Sequence, residues 1–221
     1  MVAVATALPS DGGGAQALLP EELAAMTARG TARRQADRIA GQRAARGAVG
    51  ALTGWGPSDY TITRASGGAP VVEGPDPGVG VSISHREGTG WAAACRRGRP
   101  GLDVEAVALR PLSWLRTWFT VGEQERLADD PVAQTEAWCA KEAVLKALGT
   151  GMALHPREVE VIDLHGVFVP VMLHGAAAQV HAELGGGRLV VTVGRLDGLV
   201  AAAALLSPGD GRETLASHRV A

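Results

Sequence analysis

A chain of 221 residues with 46% apolar and 20% charged side chains has the makeup of a globular protein, built on one large core or two small ones, and not that of a disordered or fibrous chain. A net charge of −2 excludes broad electrostatic attachment to nucleic acid or to an anionic membrane face, so any basic site must be local. Two cysteines, Cys95 and Cys139, cannot make a disulfide framework, which points to a reducing, cytoplasmic compartment.

Residues 1–14 lack a positive n-region and contain Pro9 and a run of three glycines, so they read as a loose lead-in and not as a signal peptide or a span. Residues 20–52 are patterned as helix, split at Gly30, and the stretch from Thr27 to Leu52 carries Arg29, Arg33, Arg34, Arg38, Arg43 and Arg46 against the single acid Asp37. That charge fits a solvated helix face and an anion cradle equally well. Residues 60–64 alternate as an edge strand, and a turn at 66–70 and a loop at 74–78 follow. Continuous strands are expected at 79–84, ending in His85, at 90–95, and at 101–105.

Helix returns at 121–127 and at 131–149, the second with Asp130 placed to cap it and Pro131 in its first turn. The remainder reads as strands at 159–162, 167–173, 178–184, 188–193 and 199–206, then a polar tail at 207–221. The run at 199–206 is the longest apolar one and falls well short of the roughly 20 residues a bilayer requires, so no membrane partner is expected. Helix followed by strands occurs twice, which divides the chain into residues 1–109 and 110–206 without visible identity between the two passes.

Both lysines, Lys141 and Lys146, fall in the helix at 138–149, in a chain that otherwise uses arginine for positive charge. An ammonium can give up its proton and meets phosphate as a compact charge, which a guanidinium does not. Asp103 and Glu105 lie two apart on a strand and share a face, where two carboxylates repel unless a cation neutralises them. Oxygen ligands of this kind suit a hard ion such as magnesium. Glu142 could complete the set, or could simply pair with Lys146 four residues on as a surface ion pair worth about 0.2–0.5 kcal/mol. Trp138 heads the same stripe and favours a face turned toward protein. No phosphate-binding glycine loop, dinucleotide fingerprint, paired Cys-x-x-Cys or nucleophile elbow is present.

In order, Ser82-Ile83-Ser84-His85, Gly101-Leu102-Asp103-Val104-Glu105, Phe119-Thr120-x-x-Glu123 and Trp138-x-x-Lys141-Glu142-Ala143-x-x-Lys146 resemble the signature of the 4′-phosphopantetheinyl transferases, the Sfp-type in particular. The resemblance is dense over residues 79–151. It implies an α+β pseudo-dimer with the site between two similar halves, and transfer of phosphopantetheine from coenzyme A to a serine of an apo acyl or peptidyl carrier protein. It further implies that Asp103, Glu105 and Glu142 hold magnesium, that Lys146 protonates the departing 3′,5′-ADP, and that Glu142 takes the proton of the carrier serine. Lys141 would help neutralise the phosphates, and Ser84 and His85, with Arg34, Arg43 and Arg38, would meet the coenzyme's 3′-phosphate.

The chain departs from the family pattern at Ala69, where a lysine is common before the proline matched to Pro70, and at Arg86, where serine is common. A pseudo-dimer of this kind is expected to be a monomer. Two rivals follow from the same residues: a relative that binds coenzyme A or a carrier without transfer, and a metal-dependent phosphohydrolase. Retention of three carboxylates and both lysines disfavours pure binding. Residues Leu112, Trp114, Leu115 and Phe119 offer either core packing, the preferred reading, or a carrier-facing patch.

Overall fold

The computed structural model describes residues 2–7 and 17–209. The chain runs β1 (Val2–Ala7), α1 (Pro20–Thr27), α2 (Ala32–Thr53), β2 (Thr61–Arg64), β3 (Pro70–Glu73), β4 (Val79–Arg86) and β5 (Thr89–Arg96). It continues with β6 (Arg99–Ala106), α3 (Leu112–Trp118), α4 (Val121–Leu127), α5 (Pro131–Leu148), β7 (Val159–Val161), β8 (Val171–Leu173), α6 (Gly175–Glu183), β9 (Leu189–Leu196) and β10 (Leu199–Leu206).

The two passes are built alike. Three strands in the order β1-β5-β4 form one sheet and β6-β10-β9 form the other, all antiparallel, and each half adds a two-stranded pair, β2-β3 or β7-β8. One long helix covers each sheet, α2 over the first and α5 over the second. Both end on a glycine in the left-handed conformation, Gly54 at φ 78° and Gly149 at φ 79°, which offers the last carbonyls a backbone N–H without a Cβ clash. This is an α+β pseudo-dimer in a single chain.

Small residues let each helix lie close to its sheet. The buried face of α2 is Ala40, Ala44, Ala45, Ala48 and Val49, and that of α5 is Ala137, Ala140, Ala143, Val144 and Ala147. Where they touch, the strands carry glycine: a Cβ on Gly101 would stand 1.8 Å from the Ala143 carbonyl oxygen, and one on Gly90 would stand 2.2 Å from that of Ala40.

Several expectations change. Residues 2–7 form β1, paired with β5 by backbone bonds that a search for charge and hydropathy signals does not detect; residues 8–16 lie outside the described part. Sheet pairing moves the boundary between halves from 109/110 to the turn before β6, because β6 pairs with β10 and so belongs to the second half. Of residues 178–184, expected as strand, 178–183 are helix in α6 and Leu184 caps it: Ala-rich sequence favours helix, and Glu158 accepts a bond from Ala177 N at 2.7 Å at its first turn. Strand β3 and helix α3 were not anticipated, and only residues 171–173 of the expected strand at 167–173 pair as β8. Of the expected tail, residues 207–209 have no regular structure and 210–221 lie outside the described part. Among the described residues no helix is long and apolar enough to cross a membrane.

Candidate active site

The chemistry collects where α5 crosses β6 at the seam between the halves. Lys146, in the last turn of α5, donates from Nζ to Asp103 Oδ1 at 2.7 Å and to the Leu102 carbonyl at 2.9 Å. The surface pair that spacing allows between Glu142 and Lys146 is therefore not the one formed. The first half reaches this point through β4. Ser84 Oγ donates to Asp103 Oδ1 at 3.2 Å and accepts from Val104 N at 3.2 Å, and Ser82 Oγ accepts from Leu102 N at 3.0 Å. Serines two apart on β4 thus satisfy backbone donors two apart on β6. Asp103 Oδ2 is buried without a hydrogen-bond partner.

Glu105, on the same face of β6, forms an ion pair with Arg86 and lies 4.0 Å from Arg110, whose guanidinium sits 4.9 Å over the Trp114 ring. Glu142 lies within the electrostatic reach of both carboxylates. Burial raises its pKa from 4.5 to about 7, Asp103 and Glu105 add to the rise, and Lys146 opposes it. Burial and Asp103 raise the Glu105 pKa also, against the arginines. Trp138, one turn before Glu142, packs edge-on to Trp114 and Trp118, at ring separations of 4.8 and 5.9 Å, so this stripe of α5 does face protein. Leu115 and Phe119 are core, as preferred, whereas Leu112 is exposed. Cys139 is a buried thiol whose pKa burial pushes far up, and it is inert.

Among the described residues no three His, Cys, Asp or Glu side chains already converge as a metal site. The donor set nonetheless fits a hard cation: an unpartnered buried carboxylate oxygen and a neighbouring glutamate that resists ionisation both mark uncompensated negative charge.

Two hollows flank the cluster. One of about 510 Å³ is lined by Arg33, Arg34, Asp37, Arg38, His85 and Arg86. His85 and Arg34 therefore line one hollow, and loss of bulk water lowers the His85 pKa below 6.5 against the pull of Asp37. Arg38 reaches the same hollow but spends its guanidinium on the end of α1, donating to the Met26 carbonyl at 2.9 and 2.7 Å. Arg43 is half-buried on α2 and lines neither hollow. The other, a cleft of about 700 Å³, runs along β3 and β4 to Lys146 and Gly149 and includes Arg64, Ala69, Pro70 and His85. Arg64 is the register partner of Pro70, so a cation stands beside Ala69 and Pro70.

Two expected contacts are corrected. Ser84 is buried and lines neither hollow; its hydroxyl is used up in joining β4 to β6. Lys141 is wholly buried on the opposite face of α5, where it bonds Glu123 at 2.8 Å, the Pro156 carbonyl at 3.0 Å and the Val159 carbonyl. Adjacent helical residues point about 100° apart, which separates Lys141 from Glu142. Sequence reading missed Arg33, Arg64 and Arg110 as site residues; the one signal was arginine density, which does not say which side chain turns inward.

A strand carboxylate pair, a helix glutamate and a helix lysine gather at the seam of two like-built halves, with arginine-lined space on either side that suits anionic groups. Residues 99–203 match the family model described as the 4′-phosphopantetheinyl transferase superfamily.

Among solved structures, the chain is similar to the holo-ACP synthase of Plasmodium yoelii, at 20% identity over 50% of this chain and 93% of that one, with a TM-score of 0.43. The Helicobacter pylori holo-[acyl-carrier-protein] synthase in complex with coenzyme A is 16% identical over 49% of this chain and 99% of that one, with a TM-score of 0.43. The Mycobacterium tuberculosis acyl carrier protein synthase is 26% identical over 51% and 97%, with a TM-score of 0.36. No curated protein sequence matches the chain.

Proposed function

We propose that the protein is an Sfp-type phosphopantetheinyl transferase, moving the 4′-phosphopantetheine arm of coenzyme A to a serine of an apo acyl or peptidyl carrier protein and releasing 3′,5′-ADP. The observation that carries this reading is the Lys146–Asp103 contact across α5 and β6, with Glu142 raised to about 7 beside it. Attack of a hydroxyl on a diphosphate needs a base for the incoming proton, an acid for the leaving group, and neutralised charge between them. Glu142 has a pKa near the working pH and suits the base. Lys146, whose Nζ donates to Asp103, suits the acid.

Magnesium would be held by the carboxylate cluster for which Asp103, Glu105 and Glu142 are the candidates, and the bound ion would neutralise diphosphate oxygens. Arg34 and His85 would bind the 3′-phosphate in the arginine hollow, with Arg38 shaping its wall. The 700 Å³ cleft has room for the rest of the coenzyme. The protein would act as a cytoplasmic monomer, since both halves of the site come from one chain.

Incubation of an apo carrier protein with coenzyme A and magnesium tests this. A carrier mass gain of one phosphopantetheine arm is expected. No gain with intact coenzyme leaves a binding protein, and coenzyme cleavage without carrier labelling points to a phosphohydrolase.

A further inference from the structure

Two acids line the arginine hollow, Glu87 exposed on its rim and Asp37 half-buried on α2. A carboxylate among Arg33, Arg34, Arg38 and Arg86 works against any anion that binds there, so Asp37 needs another reason to stand in the wall. Its Oδ1 accepts the backbone N–H of Gly88 at 2.7 Å, 51 residues along the chain. Glu87 and Gly88 are the two-residue turn between the paired residues Arg86 and Thr89 that joins β4 to β5. Both take positive φ, 50° and 79°, as such short hairpins require. For glutamate that backbone state is disfavoured, and a bond from outside the hairpin helps to hold it. The residues just before the turn, His85 and Arg86, are what β4 contributes to the hollow. Gly41 lies one turn beyond Asp37 on the same face of α2, and a Cβ there would stand 2.8 Å from Ile83 Cγ2 and 3.4 Å from His85 Cδ2. Helix α2 thus bears Arg34 in one wall of the hollow and also seats the strand end that forms the other.

We propose that Asp37 is a positioning residue: through its bond to Gly88 it fixes the β4–β5 turn, so that His85 and Arg86 stand across the hollow from Arg34 where a phosphate group can meet them together. Arg86 is anchored at its tip by Glu105, and Asp37 sets its root. What Asp37 supplies to binding is the acceptor oxygen and not the negative charge. An ionised acceptor makes the stronger bond to a backbone N–H, which accounts for a carboxylate at a place where its charge opposes the ligand.

The inference rests on the reading of the hollow as the seat of the coenzyme's 3′-phosphate. Calorimetric titration of the full chain with coenzyme A and with dephospho-coenzyme A, which lacks that phosphate, tests it. Alanine is favourable in a helix, so Asp37→Ala keeps α2. It is expected to weaken coenzyme A about 10-fold and dephospho-coenzyme A less than about 2-fold, whereas Asp37→Asn, which retains an acceptor oxygen, should hold coenzyme A within about 3-fold of wild type. A role confined to stability would weaken both ligands alike, and that result overturns the proposal. So does an equal loss of coenzyme A binding in the alanine and asparagine variants, or no loss in the alanine variant. If the wild-type chain binds the two coenzymes equally, the reading of the hollow fails while Asp37 is still open to test. Inorganic phosphate, followed by the His85 ring signals in nuclear magnetic resonance, then decides. Weaker phosphate binding in Asp37→Ala than in Asp37→Asn supports the positioning role, and equal binding in the two, or none in wild type, overturns it.

Discussion

Glu142 and Lys146 stand one helical turn apart, yet the structure sends them to different partners: Lys146 to Asp103, Glu142 into the field of two other carboxylates. A carboxyl whose pKa is raised from 4.5 to about 7 in the folded chain binds its proton more tightly folded than unfolded. Stability of the metal-free protein is therefore expected to fall as pH rises from about 4.5, with the full loss present above about 7. Melting temperatures across this range should show the decline, and Glu142→Gln should flatten it, an outcome a surface glutamate would not produce. The same variant, and Lys146→Ala, are expected to abolish carrier labelling while circular dichroism stays native. Residue identities at this site were legible from spacing: a shared strand face for Asp103 and Glu105, a tryptophan-headed stripe for Glu142. The partner of Lys146 was not, because a residue 43 positions away supplies it.

At the scale of elements, Lys141 shows how a motif can mislead. It stands eight residues before the cap Gly149, as Arg46 stands eight before the cap Gly54. Both are fully buried cations on the long helix of their half. Each pairs with a buried glutamate in the third position of a preceding short helix, Glu22 in α1 and Glu123 in α4. Each glutamate also takes a backbone bond from the neighbouring strand region, Ile62 N at 3.0 Å and Val161 N at 2.8 Å. A device present in both halves belongs to the scaffold and not to the chemistry. Lys141→Met should cost about 3–5 kcal/mol in urea unfolding because it leaves Glu123 charged and buried, and adding Glu123→Gln should recover part of that. Gly101→Val should be destabilising by about 1–3 kcal/mol or more, since its Cβ would meet the Ala143 carbonyl at 1.8 Å and force α5 off its sheet.

At the scale of the molecule, two like-built halves make one site and not two. The cap registers that align Arg46 with Lys141 place Gly47 at the position of Glu142 and Ala51 at that of Lys146. The strand registers, aligned on the matching β4-β5 and β9-β10 turns, place Ala5 at the position of Asp103. The first half has kept the scaffold without the chemistry, and contributes instead through β4, whose Ser84 and Arg86 reach Asp103 and Glu105. Ser84→Ala should lower stability by about 1–3 kcal/mol, as Val104 N loses its buried acceptor, and should reduce transfer, as Asp103 loses a bond that orients it. Paired unfolding and carrier-labelling measurements would check both.

Local order of apolar, glycine and capping residues was enough to read the long helices, the central strands and the candidate carboxylates, because those signals act over a few residues. Helix α6 and strand β1 escaped, one because a short apolar run suits either state, the other because its pairing with β5 is remote in sequence. Which half owns Asp103, which face of α5 holds Lys141, and which arginine meets Glu105 were settled only by packing. Each depends on a partner brought in from another element, and burial alone determines whether a charge there must find one.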